Sequence, residues 1–280
     1  MLAGLDGTSA HFSSNQFDWR AVAQMQWTDN FMTYLQASTG YKGGGINPRP
    51  FFVSQELAFN PETLTTYELG FKSDFADNRI RLNVAAFFNK YEDIILRLNF
   101  CAQSPTGQQT PCQLPANVGK ADVKGIEVES NMILGGGFSA DIAASWLDFK
   151  YTETNFATTN IPTSFITPFT PEKKAAIGLQ WEKEVGDNTF VMRGDYAYQS
   201  SMYGDAFNNP YNFIRSSAVG NVRFTWRGKD DQWQASAEVM NVTDKLYYLA
   251  TNDYSASAGS SSYAPALPRT WAISFKRKFD

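Results

Sequence analysis

The 280-residue sequence has one histidine, two cysteines and no long hydrophobic run. A helix that spans a bilayer needs about 20 predominantly apolar residues in succession, so the sequence excludes a helical membrane protein. The lone histidine, His11, precedes the first predicted strand, which leaves a His-dependent catalytic triad without support. No His, Cys and carboxylate cluster has metal-site spacing, and the net charge of −4 supplies no basic surface for nucleic acid. We therefore expect no enzyme, no metal, no cofactor and no nucleic-acid partner.

Aromatic residues, by contrast, make up 15% of the sequence, and many alternate with polar residues. Residues 64–75 and 80–97 each alternate apolar and polar positions, and the Ala-Asp-Asn segment at 76–78 suits a tight turn. These runs exceed the usual strand of a soluble protein and suffice to cross a bilayer when tilted, which takes about 9–11 residues. The pattern predicts a long β-hairpin with one apolar and one polar face. A large soluble β-protein is the alternative.

The same pattern recurs along the chain. It predicts eleven strands, at residues 17–27, 31–41, 64–75, 80–97, 122–134, 138–151, 173–183, 190–200, 215–227, 232–241 and 269–279. Their connections alternate between two to four residues and a dozen or more, as in outer-membrane barrels, where periplasmic turns are short and extracellular loops are long. We therefore expect an all-β, antiparallel transmembrane β-barrel at residues 17–280, preceded by an irregular segment at residues 1–16.

An odd number of strands has a consequence for closure. The first and last strands then run in the same direction, whereas an antiparallel barrel closes between strands that run oppositely. Two open edges in hydrocarbon would cost several kcal/mol for each unpaired backbone group. We therefore expect the chain to be the C-terminal part of a larger barrel. Residues 1–16 do not read as a secretion signal, so we expect that a leader was removed or that the chain belongs to a longer protein.

Several segments resemble signature segments of TonB-dependent outer-membrane receptors. Residues 60–94 read NPETLTTYELGFKSDFADNRIRLNVAAFFNKYEDI, which is similar to the family's P-E-x-x-x-x-Y-E-L-G-x-K strand followed by its R-L-x-L-N-x-A-x-F strand. Residues 117–129, 170–173 and 241–248 resemble later segments in the family order, including the N-x-x-D-x-x-Y segment, NVTDKLY here. The closing strand from Pro268 to Phe279 also matches.

The resemblance implies a fold and a function. Family members have a 22-stranded barrel filled by an N-terminal plug that contacts TonB, so the eleven strands would be the second half of the barrel, with the plug absent. It further implies a receptor in the bacterial outer membrane that imports a scarce nutrient, most often a ferric siderophore, with energy from TonB. Implied partners are outer-membrane lipid, the TonB complex through the missing plug, a siderophore or similar small ligand, and the barrel-assembly machinery. A passive pore or binding barrel is the alternative, and an outer-membrane enzyme a third possibility.

The resemblance also assigns a role to the C-terminal strand. Its lipid-facing residues would form the signal that the assembly machinery reads, and they are Trp271, Ile273, Phe275 and Phe279. Family members normally end at the aromatic residue, whereas this chain continues to Asp280.

Aromatic residues of the predicted extracellular loops are the candidate ligand-binding residues. They are Tyr41, Phe51, Phe52, Tyr203, Phe207, Tyr211, Tyr254 and Tyr263. Aromatic rings stack on a ligand at low entropic cost, although packing between loops is the alternative role. Charged residues on the polar strand faces are expected to line a wet lumen, as an ion-pair network or as ligand contacts. They are Glu68, Lys72, Arg81, Glu127, Glu129, Arg193, Asp195, Arg223 and Glu238.

Cys101 and Cys112 lie within one predicted extracellular loop, CAQSPTGQQTPC. Outside the cytosol such a pair favours a disulfide, worth about 2–3 kcal/mol for a loop this short. A metal site is the alternative, but it would need further ligands, and no histidine is near in sequence.

Overall fold

A computed structural model describes residues 7, 9–50, 53–99, 114–255 and 259–279. In chain order its strands are β1 (Arg20–Thr28), β2 (Phe31–Lys42), β3 (Gly45–Ile46), β4 (Ala58–Phe59), β5 (Glu62–Phe75), β6 (Ile80–Glu92), β7 (Ile95–Leu98), β8 (Leu114–Asn117), β9 (Gly119–Gly135), β10 (Phe138–Thr154), β11 (Lys173–Val185), β12 (Asn188–Gln199), β13 (Met202–Tyr203), β14 (Phe213–Ile214), β15 (Ser217–Arg227), β16 (Trp233–Met240), β17 (Tyr248–Tyr254), β18 (Ser260–Pro265) and β19 (Thr270–Arg277). A short helix, α1 (Phe156–Thr159), and 3-10 turns at Val53–Gln55, Pro210–Asn212 and Lys229–Asp231 complete the described elements.

Eleven strands form one antiparallel sheet, in the order β1-β2-β5-β6-β9-β10-β11-β12-β15-β16-β19. Every neighbour in this order is also the next long strand in sequence, so the sheet is a simple meander. The prediction of an all-β fold with eleven long antiparallel strands is confirmed. β1 begins at Arg20 rather than at residue 17, and β9 begins at Gly119 rather than at residue 122.

The connections between these strands alternate in length as predicted. Short turns of two to five residues join β1 to β2, β5 to β6, β9 to β10, β11 to β12 and β15 to β16. The intervening connections run from 17 to 29 residues. In the β5–β6 turn, Ala76, Asp77 and Asn78 all have φ between 52° and 62°. Asp and Asn adopt this left-handed region more readily than most residues, which fits their place in the turn.

The two faces of the sheet differ in polarity. Leu35, Leu69, Ala86, Ile126 and Trp146 lie side by side across β2, β5, β6, β9 and β10. All of these side chains are exposed, and Leu69 is 59% exposed. A continuous exposed apolar surface of this kind marks a face that contacts lipid or another protein. We call it the apolar face.

The opposite surface, which we call the polar face, carries the charged residues of the strands. One of its rows contains Asp141, Gly178, Asp195 and Asn221 on β10, β11, β12 and β15. Arg193 pairs with Asp141 at 2.8 Å and with Asp195 at 2.7 Å. The predicted alternation of the two faces is therefore present in the structure, and part of the polar face is an ion-pair network.

Four of the five long connections carry a small two-stranded sheet, and the connection between β10 and β11 carries α1 instead. The pairs are β3–β4, β7–β8, β13–β14 and β17–β18. The alternation pattern did not predict these hairpins, because strands of two to seven residues are too short for a period of two to stand out.

The long connections also enclose a compact hydrophobic cluster. Its buried members are Ile94, Leu98, Val118, Ala121, Tyr151, Ile161 and Ala206, which come from three different connections and the adjoining strand ends. Asn117 ties the same region together, because its side-chain amide donates to the carbonyl oxygens of Asn60 and Asp93 at 3.0 and 2.8 Å. These connections are therefore packed against one another at one end of the sheet. No described helix is long and apolar enough to cross a bilayer.

Candidate functional site

A large cavity lies between the polar face and the last long connection, residues 241–269. Its volume is about 830 Å³, and strands from β9 to β15 supply its floor. Because side chains from so many adjacent strands reach one cavity, the sheet is concave on its polar side. Tyr247, Leu249, Leu267 and Pro268 of the last connection cover the floor, and we call these four residues the roof.

The floor combines small side chains with a few charges. Ala143, Ala176, Ala197 and Val219 line it on four neighbouring strands, and they make room for the cavity. Three charged side chains, Glu127, Glu129 and Lys174, reach the same cavity. None of the three has a salt-bridge partner among the residues that the structure describes. A cavity with small apolar walls and a few converging polar groups is the usual form of a small-molecule site.

Seven of the nine predicted lumen residues fall into two groups, and Glu68 instead accepts a hydrogen bond from the Tyr34 hydroxyl at 2.7 Å. Arg223 pairs with Glu238 at 3.3 Å and Arg81 with Asp74 at 2.8 Å, in addition to the Arg193 network. These residues fit the interpretation of an ion-pair network that ties strands of the sheet together, in which partly exposed pairs contribute little to stability. Glu127 and Glu129 are instead available to a molecule in the cavity.

The base of the roof is closed by the first residues of the last connection. The Asn241 side chain accepts a hydrogen bond from the Lys245 backbone at 2.8 Å, and its amide donates to the carbonyl oxygens of Lys245 and Leu267 at 2.9 and 3.3 Å. Asp244 accepts a hydrogen bond from the Arg269 backbone N–H at 2.8 Å. Asn241 and Asp244 both have positive φ, 53° and 54°, which Asn and Asp tolerate better than most residues. We call this arrangement the clasp, and it accounts for the Asn and Asp of the N-x-x-D-x-x-Y segment.

We expect Asn241→Ala to loosen the roof. Asn241 is buried, and its truncation would leave the Lys245 N–H and two carbonyl groups without their partner, at a cost of about 1–3 kcal/mol. The measurement is the rate of proteolytic cleavage within residues 241–269 of the purified protein. Asn252→Ala on β17 is the matched control, because Asn252 is exposed and should tolerate the change. Equal cleavage rates in the two variants would contradict the role of the clasp.

The structure places the predicted aromatic ligand-binding residues in separate surroundings. Tyr203 stacks edge-on against Phe213 with ring centroids 5.4 Å apart, and Phe207 packs against the hydrophobic cluster of the connections. Tyr211, in the 3-10 turn, is 54% exposed. Tyr263 on β18 contacts Tyr248 with centroids 5.0 Å apart. None of these four lines the large cavity, so their role in ligand binding stays a prediction.

Two further predicted ligand-binding residues, Tyr41 and Tyr254, lie at or near strand ends. Tyr41 is exposed near the end of β2, and Tyr254 ends β17. Phe51, Phe52, Cys101 and Cys112 lie outside the described residues, so their predicted roles in ligand binding and in a disulfide stay predictions.

Residues of the predicted assembly signal are better defined. Trp271, Ile273, Phe275 and Phe279 are each at least 65% exposed. Trp271, Ile273 and Phe275 lie opposite Val239, Ala237 and Ala235 of β16 on one face of β19. Their role in assembly stays a prediction.

Sequence reasoning missed most residues that line the cavity. Tyr247 belongs to the N-x-x-D-x-x-Y segment and Pro268 to the closing segment, but neither was predicted to line a cavity, and Leu249 and Leu267 carried no signal of their own. The N-x-x-D-x-x-Y segment could have identified Tyr247, because its tyrosine follows the clasp directly.

Comparisons with known proteins identify the family and the fold. Residues 3–242 match the protein family described as TonB dependent receptor-like, beta-barrel. The pesticin receptor of Yersinia pestis is 28% identical over 285 residues, which covers 100% of this chain and 38% of that protein. The pesticin receptor of Yersinia enterocolitica is 29% identical over 152 residues, or 54% of this chain and 21% of that protein. The chain therefore spans well under half the length of these curated relatives.

Solved structures show the same fold. The ferric yersiniabactin uptake receptor FyuA from Yersinia pestis has a TM-score of 0.77 at 21% identity, over 93% of this chain and 37% of that one. BauA, the ferric preacinetobactin receptor from Acinetobacter baumannii, has a TM-score of 0.66 at 18% identity, over 91% and 35% of the two chains. At these identities the likeness shows the fold alone.

Proposed function

The chain belongs to the TonB-dependent receptor β-barrel family, and from that membership we propose that the protein imports a ferric siderophore across the bacterial outer membrane. Energy for import would come from the TonB complex. The relatives support this proposal, since FyuA is a ferric yersiniabactin uptake receptor and BauA a ferric preacinetobactin receptor. The family is one of receptors and transporters rather than enzymes.

The observation that carries the proposal is the cavity beneath the roof. A volume of about 830 Å³ suits a drug-sized ligand, for which pockets commonly measure about 300–1,000 Å³. The roof offers the Tyr247 ring and the apolar side chains of Leu249 and Leu267, whereas the floor offers Glu127, Glu129 and Lys174. Such a site would hold a ligand with an apolar or aromatic surface and a few polar groups at its edge.

The apolar face supports the proposed location. Its exposed row from Leu35 to Trp146 would contact outer-membrane lipid, and the polar face would then enclose the path of the ligand. The residues Trp271, Ile273, Phe275 and Phe279 extend the exposed apolar surface to the C-terminal strand, where we propose that the barrel-assembly machinery reads them.

Uptake of radiolabelled ferric yersiniabactin by cells that produce the protein tests this function. We expect the label to enter the cells, and we expect a proton-motive-force uncoupler to abolish entry while surface binding persists. A strain without TonB should behave like uncoupled cells.

Two results would contradict the proposal. Entry that continues in the presence of the uncoupler would indicate a passive pore. Failure to bind both ferric yersiniabactin and ferric preacinetobactin would argue against the siderophore class that the relatives suggest.

A further inference from the structure

The connection between β12 and β15, residues 200–216, packs directly on β17. Its 3-10 turn, Pro210–Asn212, lies against that strand, and the Asn209 side-chain amide donates to Asp253 Oδ2 at 2.8 Å. The backbone N–H of Gly204 donates to the Asn212 carbonyl at 2.8 Å and holds the connection in its folded form. Because Leu249 of the cavity roof belongs to β17, this junction supports one side of the roof.

Two oxygen atoms at the junction are buried without a donor. Asp205 Oδ1 accepts the Phe207 backbone N–H at 2.8 Å, but Asp205 Oδ2 is inaccessible to solvent and has no hydrogen-bond partner. Asn212 is 0% exposed; its amide donates to the Phe207 carbonyl at 3.1 Å, and its Oδ1 has no partner. Buried polar atoms without partners are rare, because each costs about 1–3 kcal/mol, so this pair calls for a missing hydrogen.

The charges around Asp205 are all of one sign. Asp253 of β17 is the charged group that faces it, and the 3-10 turn contributes only the neutral amides of Asn209 and Asn212. No arginine or lysine forms a salt bridge with either carboxylate within the described part of the chain. The same part of the chain holds no group of three acidic, histidine or cysteine side chains that would retain a metal ion.

The pKa values of Asp205 and Asp253 shift in opposite directions. Burial raises the pKa of Asp205 to about 6, and the charge of Asp253 adds to this effect, whereas the Phe207 backbone N–H and the nearby Asn212 side chain oppose it. Burial would also raise the pKa of Asp253, but hydrogen bonds from Ser255 and Asn209 hold it below its ordinary value. Asp253 therefore keeps its charge, and Asp205 is the member of the pair that takes a proton.

We propose that Asp205, Asn212 and Asp253 form a proton-operated latch that docks residues 200–216 onto β17 and so steadies the cavity roof. A proton on Asp205 removes the repulsion from Asp253 and supplies the donor that the two unpartnered oxygen atoms lack. Loss of this proton leaves two neighbouring carboxylates in a poorly solvated junction, and the connection separates from β17. The latch concerns loop docking alone, so it stands whether or not the protein imports a siderophore.

The direction of the pH dependence follows from linkage. The docked state raises the pKa of Asp205, so docking is strongest below the undocked pKa of 3.8 and is lost as the pH rises through about 6. From these two values the docking equilibrium should weaken about tenfold between pH 5 and pH 7.5.

Hydrogen exchange of the whole protein in detergent micelles tests the latch. The reporter is the Gly204 amide, because Thr251 of β17 lies against Gly204 and donates to the same Asn212 carbonyl at 3.5 Å, so undocking would uncover this amide. Protection factors are corrected for the intrinsic pH dependence of exchange. In the wild type we expect about tenfold more protection at pH 5 than at pH 7.5. Asp205→Asn, which carries no charge at either pH, should keep the higher protection at both. Asp187→Asn in the exposed β11–β12 turn is the control and should behave as the wild type.

The comparison of the wild-type protein at pH 5 and pH 7.5 can overturn the proposal by itself. The test therefore does not depend on whether residues 200–216 dock in Asp205→Asn. Equal protection of Gly204 at pH 5 and pH 7.5 would show that no proton operates the junction. If calcium ions at pH 7.5 restored the protection seen at pH 5, a cation would be the missing partner and the proton latch would be wrong.

Discussion

Ala197→Trp should lower the affinity for ferric yersiniabactin about tenfold or more, which corresponds to roughly 1.4 kcal/mol of binding free energy. Ala197 lies on the cavity floor between Ala176 and Val219 of the neighbouring strands. An indole at this position would project from the polar face into the space beneath the roof. It would occupy volume that the proposed ligand requires, without a change in backbone pairing. Binding of the radiolabelled complex to intact cells measures the effect.

A tryptophan on the opposite side of the sheet provides the control. Ala86 of β6 lies between Leu69 and Ile126 on the apolar face and is exposed. Ala86→Trp would add an aromatic ring to a surface that we propose contacts lipid, so affinity should stay at the wild-type value. If Ala197→Trp bound the complex as tightly as Ala86→Trp does, the cavity would not be the ligand site.

Gly137→Ala should destabilise the β9–β10 hairpin by more than about 2 kcal/mol. Gly137 has φ of 84°, a conformation that side chains rarely adopt and that costs about 1–3 kcal/mol. A Cβ atom would also overlap the backbone carbonyl oxygen of Glu182 on β11. The Gly137 carbonyl accepts the Glu182 N–H at 2.9 Å, so the backbones cannot separate without loss of that bond. Denaturant unfolding in micelles, followed by heat-modifiable gel migration, measures the change.

Gly136 is the matched control for this substitution. It precedes Gly137 in the same turn and has φ of 62°, but the nearest atom to an added Cβ would be Phe138 Cδ2 at 3.9 Å. Gly136→Ala therefore carries the conformational cost without the overlap, and about 1 kcal/mol is expected. Equal losses of stability in the two variants would show that φ alone, rather than the approach of β11, explains the need for glycine at position 137.

The large sheet was predictable because its signals are local. Alternation at residues 64–75 and 80–97 reflects the strand period of two, and Ala76-Asp77-Asn78 marks the turn between the strands, although the second strand ends at Glu92. The length of these strands then distinguished them from the shorter strands that are usual in soluble proteins. The same local signals assigned Leu69 and Ala86 to one face and Arg81 to the other, as the structure shows.

The cavity and the packing of the connections were not predictable in this way. Leu98, Val118 and Ile161 belong to one buried cluster, yet they come from stretches with no regular spacing and meet only after the sheet has formed. Likewise Tyr247 reaches the cavity because Asn241 bonds to Leu267, a contact between residues far apart in sequence. Periodicity along the chain carries no information about contacts between residues that are far apart in sequence.

The clasp has a consequence for how this protein can diversify. Asn241 and Asp244 fasten both ends of the last connection, so the register of β16 against β19 is independent of the length of chain that lies beyond them. The β17–β18 hairpin can therefore be lengthened, shortened or replaced without a change in the pairing of β16 with β19. Changes in the β17–β18 hairpin can therefore alter the roof of the cavity while the eleven-stranded sheet keeps its strand pairing.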